Sequence, residues 1–373
     1  MKYLRITFQI LKAPVIWFVY FISGFFKRDH SIILFGTHTS TPAGNILAHY
    51  HEVRNKLEGK YEMHWIVCDK NELKKYKALG LPALNKYSIK GILKCLKGRY
   101  YCFSQHINDI SFAFSRNAFK INLWHGTPIK KIEADIDTGV YAVRYKYSFL
   151  FRLIQPWVFD KFDKIFCSCQ HDCNVFSSAF KINDQLKFYK TLSPRLIPLK
   201  KIDFIKNNTI IIAPTFRDKG GFNYSDIFNF TELSALANDL SLKIKIKLHP
   251  ADVSLIDVPE EITNIEIVDK NINFYDLLPD AKLIITDYSS VFFDAFSLEL
   301  PVVFYWPDYN EFITTSRDFY LKINEICPEL VSYNMDELKT IVYSLLTENQ
   351  RMKLDIFTPY NISKDYPYEL YKL

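Results

Sequence analysis

Two histidines stand where a side chain could do chemistry. The first, His125, ends the apolar run 121–124 and opens His125-Gly126-Thr127-Pro128-Ile129-Lys130-Lys131. An imidazole at a strand exit is held in place and titrates near neutral pH, which suits a general base. Gly126 allows close backbone approach, Pro128 stiffens the loop, and Lys130 with Lys131 could face a phosphate. The second, His249, follows the alternating cationic run 243–247 and precedes Pro250. One could take a proton from a hydroxyl while the other steadies phosphate charge. Singly, a His-Gly pair reads more readily as a structural loop; two such histidines, one in each half of the chain, say more.

Arg217 lies in Pro214-Thr215-Phe216-Arg217-Asp218, after the apolar run 209–213. Its planar guanidinium can grip phosphate with two hydrogen bonds, or pair locally with Asp218. Thr286-Asp287-Tyr288-Ser289-Ser290 joins another such run to an amphipathic helix that carries Asp294. Ser289 or Ser290 would cap that helix, whose N–H groups and dipole would hold an anion such as a pyrophosphate; a cap without a ligand is the equal alternative. Asp135-Ile136-Asp137 imitates a D-x-D metal motif but brings no further acidic cluster. Cys167, Cys169 and Cys173, with His171 among them, match no zinc spacing and read as small buried thiols. No metal or other cofactor is expected.

These residues need elements to position them, and the chain supplies an alternation of strands and helices. Strands are expected at 31–35, 61–67, 100–103, 121–124 and 164–169, then at 209–213, 243–248, 265–268, 283–286 and 302–305. Helical spacing fills 45–57, 71–79, 89–96, 225–239, 274–278, 291–298 and 335–346. Such alternation predicts parallel sheets covered by helices, with ligand loops at the carboxyl ends of the strands. The segments of His125, Arg217, His249 and Asp287 each lie at or just after the end of an expected strand, whereas Asp135-Ile136-Asp137 follows a loop. The length of 373 residues suits two domains, expected at 29–195 and 196–373, behind an N-terminal segment 1–28.

Composition narrows the function. With 49% hydrophobic and 24% charged residues the chain is an ordinary globular one. Its 11 glycines form neither a G-x-G-x-x-G nor a P-loop pattern, so dinucleotide and P-loop readings fall away. The net charge of +6 suits an anionic partner but is too mild for nucleic acid, and no nucleic-acid motif is present. Seven cysteines, an odd number, read as free thiols in a reducing compartment. The uncharged stretch 13–26 is short for a bilayer span and has no cleavage site after it. With Trp17, Tyr20 and several phenylalanines, and with Lys27 and Arg28 behind it, it is expected to lie on an anionic membrane surface; a core helix is the alternative.

Taken together, segments 124–131, 213–218, 247–250 and 285–305 resemble, in order and spacing, the CDP-glycerol glycerophosphotransferase family, which builds teichoic acids and related capsule polymers. Ser193-Pro194-Arg195 resembles that family's Gly-x-Pro-Arg-Asn-Asp turn, with Leu196 and Ile197 in place of Asn-Asp. Arg317-Asp318-Phe319-Tyr320 and Cys327-Pro328-Glu329 resemble two later family segments. The resemblance implies a GT-B-like fold: two Rossmann-like, doubly wound α/β domains facing a central cleft, CDP-alditol being held mainly by the second. It implies His125 as catalytic base and His249 as a second essential histidine. Gly126, Thr127, Pro128, Lys130, Arg217, Asp218, Thr286, Asp287, Ser289, Ser290 and Asp294 are the expected substrate contacts, Asp294 orienting a side chain or binding ribose. The implied reaction moves glycerol phosphate from CDP-glycerol to a hydroxyl of a lipid-linked glycan or growing polymer, releasing CMP at the cytoplasmic face of a bacterial membrane. A CDP-ribitol enzyme, a GT-B glycosyltransferase using a nucleotide sugar and a non-catalytic glycan-binding subunit are the alternatives.

Overall fold

Runs such as Thr-Ile-Ile-Ile-Ala over Thr209–Ala213 are apolar on both faces, as strands of a covered parallel sheet must be. In the computed structural model, which describes residues 2–215, 223–249, 252, 256–315, 319–347 and 357–371, these runs form two parallel sheets. The first comprises β1 (Asp29–Gly36), β2 (Glu62–Val67), β3 (Ala83–Asn85), β4 (Gly98–Phe103), β5 (Phe119–Asn122), β6 (Lys164–Cys167) and β7 (Phe188–Lys190), in the order β3-β2-β1-β4-β5-β6-β7. The second comprises β8 (Thr209–Ala213), β9 (Lys243–Ile246), β10 (Ile265–Ile267), β11 (Ala281–Thr286), β12 (Val302–Tyr305) and β13 (Val331–Ser332), in the order β10-β9-β8-β11-β12-β13. All pairings between these strands are parallel.

Strand order reverses on either side of β1 and of β8. The crevices at the carboxyl ends of β1/β4 and of β8/β11 are therefore the switch points at which such sheets bind ligands. Three strands escape sequence reading: β3, β7 and β13 are two or three residues long, stand at sheet edges and carry no continuous apolar run. The helix expected from 225 begins at Phe230, because the Asn229 side chain caps it by accepting from the Glu232 N–H at 3.2 Å.

Two contact units emerge. One contains Met1–Gly126, Glu133–Arg195 and Tyr360–Leu373; the other contains Thr127–Ile132 and Leu196–Pro359. The C-terminal segment thus belongs to the first unit rather than to the second, where the sequence reading put it. The reason is a buried polar clamp: both ring nitrogens of His49 lie 2.6 Å from the hydroxyls of Tyr366 and Tyr371. Tyr61 and Tyr100 also donate to the Tyr371 carbonyl, at 2.9 and 2.8 Å. None of the seven cysteines is in a disulfide.

The N-terminal helix spans Lys2–Ser23. Trp17 and Tyr20 pack on Phe112, and the indole of Trp17, a residue that stays partly exposed, donates to the Leu153 carbonyl at 2.9 Å. Arg28, expected among the lipid-facing cations, is instead buried and donates to the carbonyls of Cys95, Gly98, Phe114 and Arg116, fixing the helix's exit. Leu11, Val15, Phe18 and Phe25 remain exposed. No helix among the described residues is long and apolar enough to cross a membrane.

Candidate active site

In the first unit the chain leaves β5 through a tight turn. The Asn122 side chain accepts from the Trp124 N–H at 2.9 Å, and Trp124 takes a left-handed φ of 48°. Gly126 follows at φ 145°, a conformation side chains other than glycine's rarely adopt. Backbone this unusual persists only where neighbours hold it. Here Asn45, at the start of the helix Gly44–Leu57, donates to the carbonyls of Leu123 and Trp124 at 3.3 and 3.4 Å. The buried Arg195 guanidinium donates to the His125 carbonyl at 2.9 Å, and its backbone N–H donates to Asn45.

His125 Nδ1 lies 3.3 Å from the Ser104 carbonyl. A carbonyl only accepts, so Nδ1 carries the proton and Nε2 keeps its lone pair, the state a general base needs. The residue as a whole is exposed, yet surrounding protein crowds its ring. That desolvation, then the charges of His38, Arg195 and His106, push its pKa down to about 4, against the pull of the Ser104 carbonyl. His38, after β1, has its ring 5.1 Å from that of His125 and its Nδ1 3.0 Å from the Ser104 hydroxyl. The switch point between β1 and β4 therefore gathers His38, Ser104 and His125.

In the second unit three strand exits are stitched together. Asp287, after β11, accepts from the N–H and hydroxyl of Thr215, after β8, at 2.7 and 2.6 Å, and from the Tyr288 N–H at 2.6 Å. Tyr224 donates to Asp252 at 2.6 Å, with the Thr215 carbonyl 3.4 Å from the same hydroxyl. The Asp252 N–H closes the turn on the His249 carbonyl at 2.8 Å. The exits of β9, β8 and β11 are thus one hydrogen-bonded ridge. His249 is exposed upon it; local desolvation lowers its pKa, Asp252 opposes and Lys247 assists.

The remaining expected contacts also lie within this unit. The Thr286 hydroxyl donates to the Ala213 carbonyl at 2.7 Å, tying β11 to β8. Ser289 accepts from the Val291 N–H at 3.4 Å, and Ser290 stands at the N-cap of the helix Val291–Ser297 without a side-chain cap bond. Buried Asp294 accepts from the Tyr275 hydroxyl at 2.6 Å. Thr127 and Pro128 are buried, and the Lys130 ammonium lies 4.7 Å from the Phe312 ring centre. Lys130 pairs with Phe319 in an antiparallel bridge, and the Tyr320 N–H donates to the Ile129 carbonyl at 2.8 Å. Arg217, Asp218 and Pro250 lie outside the described residues.

Residues 17–360 match the family described as CDP-glycerol:poly(glycerophosphate) glycerophosphotransferase. The chain belongs to this family. It is therefore an enzyme of glycerol-phosphate transfer. Among its glycerophosphotransferase relatives is the teichoic acid poly(glycerol phosphate) polymerase of Bacillus spizizenii, 25% identical over 88% of this chain and 86% of its own. The teichoic acid glycerol-phosphate transferase of Staphylococcus aureus is 26% identical over 70% and 72%. The solved wall teichoic acid polymerase TagF shares the fold, with a TM-score of 0.67 and 18% identity over 92% of this chain and 90% of that one.

Sequence reasoning missed His38, Ser104 and Asn45, which meet the His125 turn from β1, β4 and the following helix. Arg195 was visible only as part of a resembling turn; the structure shows it gripping the His125 carbonyl. Tyr224 and Asp252 carried no motif at all. Of the D-x-D stretch, Asp135 accepts from Ser178 at 2.7 Å and lies 3.7 Å from the Lys181 ammonium. No group of three or more potential metal ligands occurs among the described residues.

Proposed function

We propose that the chain transfers glycerol phosphate from CDP-glycerol to a hydroxyl of a teichoic-acid or capsule acceptor. His125 Nε2 takes the acceptor's proton, the hydroxyl oxygen bonds to the β-phosphorus, the bond to the bridging oxygen breaks and CMP leaves. The transferred phosphoryl's charge is met by Arg217, His249, Lys130 and the N–H groups beyond Ser289 and Ser290. Asp287 and Thr286 keep the donor loops in register rather than meeting charge themselves. As proposed, the reaction needs no metal or cofactor. The observation that carries this reading is the His125 turn, a strained strand exit whose Nδ1 proton is committed to Ser104.

The test is CMP release from CDP-glycerol, with CDP-ribitol and a nucleotide sugar run beside it, each with lipid-linked acceptor and with EDTA present. His125→Ala is expected to abolish transfer while CDP-glycerol binding survives. Loss of binding and folding together would remove His125 from the role of base.

We also propose a peripheral position on an anionic membrane face. The exposed Phe18 and Phe25 of the first helix region, and Phe149 on the helix Ser148–Ile154 against which it packs, support it. Wild-type protein should float with phosphatidylglycerol vesicles and a Phe18→Ser, Phe25→Ser, Phe149→Ser variant should not. Equal flotation would end this reading.

A further inference from the structure

The first unit's switch point contains a cavity of about 320 Å³ between the exits of β1, β2 and β4. His38, Glu72, Tyr76, Asn108, Asp109 and Trp157 are among its lining residues. At this size, near the lower end for small-molecule sites, it takes one monosaccharide or polyol unit rather than a nucleotide. We propose that this cavity binds the hydroxyl-bearing end of the acceptor, an uncharged polyol or sugar unit, and presents its hydroxyl to His125. This inference rests on the glycerophosphotransferase reading above.

The lining chemistry selects the ligand. Glu72, Asp109 and Asn108 supply acceptors for hydroxyl groups, while half-buried Trp157 offers an aromatic face for the C–H side of a sugar or polyol. No Lys or Arg is among the lining residues, so a phosphate placed here would meet carboxylates without a fixed cation. The histidines do not reverse this. Burial lowers the pKa of His38 and takes that of His106 down to about 4, although the Glu133 carboxylate lies 3.4 Å from its Nε2, so neither supplies a fixed cation. A larger cavity of about 460 Å³ does carry cations, Arg54 and Lys77, but it adjoins the amino ends of β2 and β3, away from His125.

The wall is rigid and joined to the base. Asp109 accepts from the N–H and hydroxyl of Ser104, both at 3.1 Å, and from the Gln105 N–H at 2.8 Å. The same Ser104 meets His38 through its hydroxyl and His125 through its carbonyl. Gly36 packs so closely here that a Cβ would lie 2.5 Å from the Asp109 carbonyl oxygen. A unit seated in the cavity therefore meets the ring of His38, which lies 5.1 Å from that of His125, the imidazole that must take its proton.

The test uses the full chain and a synthetic octyl tri(glycerol phosphate) ending in free hydroxyls, beside the same molecule ending in a phosphate. Binding is read by calorimetry without donor, and transfer by CMP release with saturating CDP-glycerol. Wild-type protein should bind the hydroxyl-ended probe and bind the phosphate-ended one about tenfold more weakly or not at all. Glu72→Gln and Trp157→Ala should each weaken the hydroxyl-ended probe about tenfold and raise its KM alike, with the KM for CDP-glycerol unchanged. Glu72 is half-exposed, so its variant tests the site even if Trp157→Ala folds poorly. Equal binding of both probes, no binding of either, or wild-type affinity in Glu72→Gln would overturn the proposal. Intact, variant-sensitive binding without CMP release would leave the cavity standing and count against CDP-glycerol as donor.

Discussion

Replacing Arg195 by Met should separate the placement of His125 from the stability of the fold. Met keeps most of the aliphatic volume of this buried side chain but loses the charged donor 2.9 Å from the His125 carbonyl. A hydrogen bond from a charged group contributes about 1.5–3 kcal/mol. The bond is only part-buried, so the lower end applies and urea denaturation should show about 1.5 kcal/mol of destabilisation. Catalysis should suffer more. The turn holds Trp124 at φ 48° and Gly126 at φ 145°, and the released carbonyl lets it relax. A displacement of about 1 Å at the reacting group costs on the order of a hundredfold in rate. Steady-state CMP release should therefore show kcat down about a hundredfold with the KM for CDP-glycerol nearly unchanged. Arg195→Lys should recover little, because an ammonium lacks the planar fork. A Met variant with wild-type kcat, or one whose activity loss equals its unfolded fraction, would refute the positioning role.

Two further expectations concern protons. A base must be unprotonated to act, and His125 is held to about 4. The rate kcat/KM should stay level as pH falls through about 6.5, the ordinary imidazole value, and decline only on approach to about 4; half-loss near 6.5 would contradict the environment described. His49, fully buried between Tyr366 and Tyr371, is lowered to about 3 by desolvation. A depressed folded-state value means that the unfolded chain takes the proton first. The associated stability is complete above about 6.5 and drains away as pH falls toward 3. His49→Phe should lose about 2 kcal/mol at pH 7 by stranding two tyrosine hydroxyls, yet show a shallower loss of stability between pH 6.5 and 4.5. Parallel urea midpoints for both proteins across that range would exclude His49 as the source.

Much of the architecture is legible in the chain because burial on both faces forces a recognisable composition. Interior strands such as β8 and β12 must be apolar throughout, and their ends are marked where Pro, Gly, His or Asp interrupts the run. That places Thr215, His249 and Asp287 at strand exits, and the topology of such sheets gives those exits a function. The edge strands β3, β7 and β13 are only two or three residues long, too short to leave such a mark.

Local sequence thus determined most of the strands, the loops that follow them and the histidine proposed as base, since each is written in a few consecutive residues. Tertiary structure alone decided what surrounds that histidine. Asn45, Arg195, His38 and Ser104 reach its turn from four separate places, and Tyr224 with Asp252 links loops no motif joins. It also carried Tyr366 and Tyr371 back to His49, across 317 and 322 positions of chain. A hydrogen bond between distant residues depends on where both backbones run, and no spacing along one chain encodes that meeting.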